Sequence, residues 1–396
     1  LAARRRGAAL LAGLAAGALF GGCASSAPNA LPALPIVATP IQPAVPAPLE
    51  PMLDNLAPAL DAVLIEHVPE GTFGPYVGAS ARGPALALWA AQTQTQGPRW
   101  FSALLDGKGA PLGPPRALAE APSALSLASV AGTARGFVAI ATGVTPTGTG
   151  VTALQLGPGG ELVTGPTPLV HSRTEVLWVK ALAAGDVDVA LWAALAVGAA
   201  DISLAKLMPA GARAAAPVRV LEGAKAWQAV EYRDGIALAA VVAGESDARR
   251  TLLVSFVDGD GRVLGKTELA SGAELGDHID TARVGENLVV SWTAREGSDE
   301  RLYVASIGPD MRLLTPPAPA LPRFGRQRLL QILPPVEARG DAYIAWELVG
   351  QAPRGQRRIE LGRIGARAQV EPAAVLAFSG GSTEALELAH KGRGVV

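Results

Sequence analysis

A glycine that opens a short apolar strand recurs along this chain at steps of 53, 49, 50, 50, 55 and 54 residues. It stands as Gly83 in GPALALW, Gly136 in GFVAIAT, Gly185 in GDVDVALW, Gly235 in GIALAAVV, Gly285 in GENLVVSW, Gly340 in GDAYIAW and Gly394 in GVV. Trp89, Trp192, Trp292 and Trp346 follow their glycines by six or seven residues. A second marker keeps the same period. Tight turns begin near Asp106, Gly157, Met208, Asp258, Gly308 and Gly365, each between two apolar runs. Asp-Gly and Gly-rich pairs there supply the positive φ that two-residue hairpins use. In the fifth unit four strands can be read: from His278, Asn287, Arg301 and Arg312.

A unit of this size cannot bury its own apolar faces and has to stack on copies of itself. Four strands in about 40–50 residues is the size of a propeller blade. A β-helix needs a much shorter period, and tandem sandwiches need about 100 residues each. The fold expected is all-β, a β-propeller of four-stranded antiparallel blades, preceded by a signal peptide and a Pro-rich linker. Six repeats are complete and a seventh stops at Val396 inside its second strand. An apolar edge left open is a hazard for a soluble sheet, so the expected intact ring has seven or eight blades. The shared tryptophans are expected to pack between neighbouring blades.

Composition agrees with many short elements, because 46 Gly and 32 Pro are spread through the chain. The net charge is −1; removing Arg4, Arg5 and Arg6 from 34 basic residues leaves 31 against 35 acidic ones. A chain so near neutrality, with no basic run in its body, has no electrostatic footprint for nucleic acid. Cys23 is the single cysteine, so one chain can form neither an intramolecular disulfide nor a thiolate cluster.

Arg4–Arg6 followed by the apolar stretch Gly7 to Phe20 form a secretory signal pattern too short to span a bilayer. Gly21-Gly22-Cys23 resembles the bacterial lipobox, with Phe20 where Leu or Val is usual. That resemblance implies cleavage before Cys23, diacylglycerol on its thiol and an acylated new amino terminus. Ala24 in the next position implies, by the enterobacterial sorting rule, an outer-membrane destination. Nine prolines between Pro28 and Pro58 then forbid ladders and helix, leaving an extended spacer or a disordered leader. At ~3.1 Å per residue such a spacer reaches up to roughly 100 Å. The domain reading is therefore residues 1–22 as a signal peptide, 23–70 as lipidated cysteine and linker, and 71–396 as the repeat domain.

The strand Gly285 to Trp292 followed by Leu302-Tyr-Val-Ala-Ser-Ile-Gly-Pro-Asp310 resembles the β-propeller-type repeats of secreted bacterial proteins, often lipoproteins. The resemblance covers about Gly71 to Val396. The repeats lack the Asp-x-x-Thr-Gly-Lys and Trp pattern of quinoprotein blades, so no quinone, and no other cofactor, is expected.

In a four-stranded meander the connections alternate between two faces. The longer connectors hold most of the charge: His171, Arg173 and Glu175; Asp277, His278 and Asp280; Arg295, Glu296, Asp299 and Glu300; Arg323, Arg326 and Arg328; Arg354, Arg357 and Arg358. The densest group is Asp277, His278 and Asp280, whose carboxylates beside an imidazole suit a ligand, a metal or acid–base work. His67, His171 and His390 lie at other phases of the repeat, so no ligand set converges in sequence. Asp258-Gly-Asp-Gly begins like a calcium loop but lacks the later bidentate acid. No catalytic or metal residues are assigned. The expected role is a binding or scaffolding platform at the envelope, held to the membrane by its lipid, with a protein or glycan partner. A secreted hydrolase or lyase using the long-connector face is the alternative.

Overall fold

A computed structural model describes residues 73–395 apart from 80–82, 94–96, 107–108, 123, 209–214, 245–248, 322–325, 336–339, 350–355, 380–389 and 392–393. All of these belong to the compact unit Glu50–Val396. The signal peptide, Cys23 and the linker lie outside the described residues.

Every regular element described is a strand. The first sheet contains β1 (Phe73–Ala79), β2 (Ala85–Thr93), β3 (Gly97–Leu105) and β4 (Arg116–Glu120), and the second contains β5 (Leu125–Thr133), β6 (Gly136–Thr145), β7 (Gly148–Leu156) and β8 (Leu162–Ser172). Then come β9 (Val176–Ala184), β10 (Val187–Leu195), β11 (Ala200–Leu207), β12 (Val218–Tyr232), β13 (Gly235–Ala243), β14 (Arg250–Asp258) and β15 (Val263–Ser271). They are followed by the sheet of β16 (Leu275–Val284), β17 (Asn287–Glu296), β18 (Asp299–Ile307) and β19 (Leu313–Pro319). The last four-stranded sheet is β20 (Arg326–Leu333), β21 (Ala342–Val349), β22 (Gln356–Ile364) and β23 (Val370–Ser379). A hairpin of β24 (His390–Lys391) and β25 (Gly394–Val395) closes the series. Within each sheet the strands pair antiparallel in sequence order, so the molecule repeats one propeller-like meander. The four strands expected around Gly285 to Pro316 are all present.

One expectation needs correction. The third and fourth units do not form separate sheets but a seven-stranded one, β9 to β15. The cause is β12, whose first half pairs with β11 up to Ala224 and whose second half pairs with β13 from Ala224 to Tyr232. A single continuous strand is thus the outer strand of one unit and the inner strand of the next. Gly223, at φ 69°, interrupts the extended backbone only locally, and pairing resumes at Ala224, so the connector itself becomes strand.

Burial falls from the second strand of each unit to the fourth. The strands β2, β6, β10, β13 and β17 each hold six or more consecutive buried residues. Strands covered on both faces read as unbroken apolar runs, as ALALWA does in β2. The outer strands β15 and β19 carry Lys, Glu, Thr and Pro and are mostly exposed. Trp192, Trp292 and Trp346 each lie in a cluster formed by two neighbouring units, so they wedge one sheet against the next. Trp89 packs against its own sheet, stacked on Phe101 with centroids 5.9 Å apart.

The tight turns also differ from expectation. At Asp258 the N–H donates to Arg262 O at 3.0 Å and Gly261 N–H donates to Asp258 O at 3.1 Å. That leaves three loop residues, with positive φ on the last of them, instead of a two-residue loop with the Asp-Gly pair at its centre. The Asp258 carboxylate accepts the N–H groups of Asp260 and Arg262 and holds the wider loop. The left-handed position is Gly109, Gly160 or Gly261 in three units, but Met311 (φ 64°) and Ala368 (φ 57°) in two others. An L-residue there carries a steric cost that glycine escapes. Ala368→Gly should therefore raise the urea midpoint, by about 0.5–1 kcal/mol of stability, whereas Gly261→Ala should lower it by a similar amount.

Candidate functional site

Among the charged connectors, those of the fourth, fifth and sixth units converge. Arg250 opens β14, residues 273–278 lead into and begin β16, Arg295 to Glu300 turn from β17 to β18, and Arg326 opens β20. Together they line an open polar pocket of about 660 Å³. The connectors are tied together by backbone bonds: Gly272 N–H to Arg250 O and Arg295 N–H to Glu274 O, both 2.8 Å.

The placement of Asp277 and His278 has a local cause. Along β16, Leu275 pairs with Ala294 but the next pair is Ile279 with Trp292, so Gly276, Asp277 and His278 bulge out of the ladder. A bulge re-aims side chains that regular pairing would bury or scatter. Gly276 permits it by close approach, since a Cβ there would lie 2.5 Å from the Thr293 hydroxyl and 3.0 Å from the Thr293 carbonyl oxygen. Asp277 and His278 consequently stand exposed at the pocket wall.

Two ion pairs span the pocket walls. Arg250 holds Asp277 at 2.8 Å and also donates to Leu275 O at 3.0 Å. Arg326 approaches Glu300 at 3.8 Å. The side chains of Glu274, His278, Arg295 and Ser298 also line the pocket and have no hydrogen-bond or ion-pair partner among the described residues. The lining thus offers guanidinium, imidazole, hydroxyl and carboxylate groups but no Phe, Tyr or Trp side chain. Such a surface can hold a polar ligand by charge-assisted hydrogen bonds. Among the described residues no group of three or more His, Cys, Asp or Glu is placed to hold a metal ion.

Asp280, grouped in sequence with Asp277 and His278, is not in the pocket. It lies where β16 has returned to regular pairing, opposite Ser291. The equivalent inner-strand positions, each paired with the residue before the tryptophan position or its counterpart, are Tyr76, Ser129, Lys180, Gln228 and Gln331. All six positions carry a polar group. Reading the sequence motif by motif missed this layer. The signal that reveals it is phase in the second to fifth units, where each stands seven residues ahead of its unit's apolar second strand; Tyr76 and Gln331 stand farther ahead of theirs.

The layer has a structural task. An inner strand has no further strand on one side, so its outward N–H groups need other acceptors. Ser129 Oγ accepts the Ala181 N–H of the next unit at 3.1 Å. Asp280 does the same for Ile332 N–H at 2.6 Å, and its other oxygen accepts Thr281 N–H at 2.8 Å. Gln228 Oε1 accepts Ala229 N–H at 3.1 Å, and its side chain also hydrogen-bonds Asp280. Burial pushes the Asp280 carboxyl above its ordinary range, against these hydrogen bonds and the attraction of Lys180. Burial likewise draws the Lys180 amine down, with Asp280 opposing. Lys180 and Asp280 attract each other although a whole unit separates them in sequence.

The remaining charged candidates are dispersed. His171 meets Thr147 Oγ1 at 3.0 Å on an exposed edge, and Arg358 pairs with Glu360 at 2.8 Å. Glu296 pairs with Arg301. Arg323 and Arg354 lie outside the described residues.

No family model matches the chain, and no curated protein matches it. Similar solved structures include the polysaccharide lyase Uly1, at 7% identity and TM-score 0.46, covering 76% of this chain and 81% of that one. A protein of unknown function from Dyadobacter fermentans is 13% identical, with TM-score 0.41 and coverage of 73% and 92%. The PQQ-bound aldose sugar dehydrogenase of Streptomyces coelicolor is 14% identical, with TM-score 0.35 and coverage of 74% and 98%. Likenesses this distant assign neither a family nor an activity to the chain.

Proposed function

We propose that the chain is an exported lipoprotein, tethered through Cys23, whose repeats close into a β-propeller that serves as a binding platform at the cell envelope, in the outer membrane. The Arg250–Arg326 pocket is its ligand seat, and a charged envelope glycan is its ligand. One observation carries this reading: Glu274, His278, Arg295 and Ser298 meet in one pocket, between Arg250 of the preceding unit and Arg326 of the next, with no hydrogen-bond or ion-pair partner for their side chains among the described residues. Polar groups arranged in this way are free to exchange water for ligand. The absence of Phe, Tyr and Trp among the lining residues favours a charged sugar over a neutral one, because neutral sugars depend more on stacking. Closure is supported by the apolar outer faces of the first and last four-stranded sheets, Ala87, Trp89 and Leu105 on one and Leu333, Ala345 and Ile359 on the other.

The test uses the full chain. Wild type should partition with membranes, and Cys23→Ser should be released into the soluble fraction. That soluble form should bind a uronic-acid oligosaccharide in calorimetry, and adding Arg295→Ala should weaken binding about 10- to 100-fold. Equal binding by the Arg295 variant would remove the pocket from the proposal. Turnover of the oligosaccharide, abolished by His278→Ala, would replace the platform with the hydrolase or lyase reading.

A further inference from the structure

The charges that line the connector pocket are balanced. Arg250, Arg295 and Arg326 supply three guanidiniums, and Glu274, Asp277 and Glu300 supply three carboxylates. A polyanion entering such a pocket meets repulsion as well as attraction, and so does a polycation. A ligand that carries both signs gains from both sets.

Two cation–anion pairs are already made. Arg250 meets Asp277 at 2.8 Å and is held further by the Leu275 carbonyl oxygen at 3.0 Å, and Arg326 lies 3.8 Å from Glu300. The third pair is not made. Glu274 and Arg295 lie one step beyond the Leu275–Ala294 pair, and the Arg295 N–H donates to the Glu274 carbonyl oxygen at 2.8 Å. The two backbones are thus fixed against each other. Their side chains nevertheless form no ion pair with one another or with any other described residue. Both side chains are exposed, where closing such a pair in water gains little. The pocket therefore presents one cation and one anion, side by side on one wall and without protein partners among the described residues.

We infer that this pocket, on its reading as the ligand seat, holds a zwitterionic sugar unit that bears a carboxylate and a free amine. Arg295 donates to the carboxylate and Glu274 accepts from the ammonium, two charge-assisted hydrogen bonds of opposite polarity. His278 and Ser298, which share the lining and have no side-chain partners among the described residues, offer hydrogen bonds to the sugar hydroxyls. The ligand is thereby narrowed from a charged glycan to one of mixed sign.

The experiment is calorimetry on the full chain carrying Cys23→Ser. It compares two oligosaccharides of alternating glucuronic acid and glucosamine, one with its amines free and one fully N-acetylated. The free-amine form should bind about 10- to 100-fold more tightly, the gain expected for a hydrogen bond to a charged group. Glu274→Gln should bring that ratio to about one. Glu161→Gln removes the same charge from the tight turn between β7 and β8 and should keep the ratio. Equal affinity of wild type for the two sugars overturns the inference and leaves the pocket as a seat for anionic glycans. A preference that survives Glu274→Gln, or that falls as far in Glu161→Gln, also overturns it, because the amine then owes nothing particular to Glu274. Binding of neither sugar removes the ligand seat itself, and the inference with it.

Discussion

Trp292→Ala should lower unfolding stability by about 3–5 kcal/mol, the range for removing a large aromatic from a core that collapses only partly. Trp292 is 1% exposed and lies in a cluster that joins Ala237, Ala239 and Val254 of the preceding sheet to Val290 and Ile307 of its own. Its ring also stacks on Tyr303, with centroids 5.9 Å apart and planes 19° from parallel. Truncation leaves a cavity on both sides of one inter-sheet boundary, and neither sheet can move in without breaking its ladders. Trp292→Phe should recover part of the loss, because it keeps an aromatic face for Tyr303. Urea titration followed by tyrosine and tryptophan fluorescence checks both variants. A loss below about 1 kcal/mol for the alanine variant would mean that the tryptophan decorates the sheet and does not join it to its neighbour.

The repeat that places Trp292 was legible because it is written in local chemistry. A run such as LVVSW in β17 is apolar enough to be covered on both faces, and a turn such as Gly308-Pro309-Asp310 punctuates it. Period and strand count follow from these alone. The fusion of two units through β12 was not legible, since Val218 to Tyr232 reads as strand whether it is one element or two. The turn at Asp258 was located but mistyped, because its carboxylate captures two N–H groups and thereby sets a three-residue loop. The candidate site was half legible. Asp277, His278 and Asp280 are neighbours in sequence, but a bulge held open by Gly276 sends the first two to the pocket and lets Asp280 rejoin the ladder. Adjacency along a strand is a poor guide to shared surface when pairing shifts register. Lys180 was invisible for a different reason. One polar residue in an apolar strand looks like noise until Ser129, Gln228 and Asp280 are found at its phase.

Asp280→Asn should destabilise the protein at neutral pH by about 3–5 kcal/mol, the cost of breaking a buried charged network from one side. The carboxylate accepts Ile332 N–H at 2.6 Å and Thr281 N–H at 2.8 Å, one on each oxygen. Asparagine offers a single acceptor oxygen, so one of these amides meets an NH₂ group and is left unmade. Lys180 loses its attracting charge in the same step. The pH dependence has a definite sign. Burial, the strongest influence, raises the Asp280 carboxyl above its value of 3.8 in spite of the hydrogen bonds and Lys180. The folded chain then binds this proton more tightly than the unfolded chain. Wild type loses that contribution to stability as pH rises from about 3.8 through the raised folded value, and the contribution is complete below 3.8. The asparagine variant has no such fall, so the gap between the two proteins should widen on acidification. Lys180 runs the other way. Its amine is drawn below 10.5 by burial, so the unfolded chain binds more protons there and wild-type stability should climb with pH towards 10.5. Lys180→Met should flatten that climb and be more stable than wild type at neutral pH. Urea midpoints from pH 3 to pH 10 for the three proteins test both signs. A gap for Asp280→Asn that narrows in acid would mean that the hydrogen bonds outweigh burial, and that the inner layer is held by its charge instead of being strained by it.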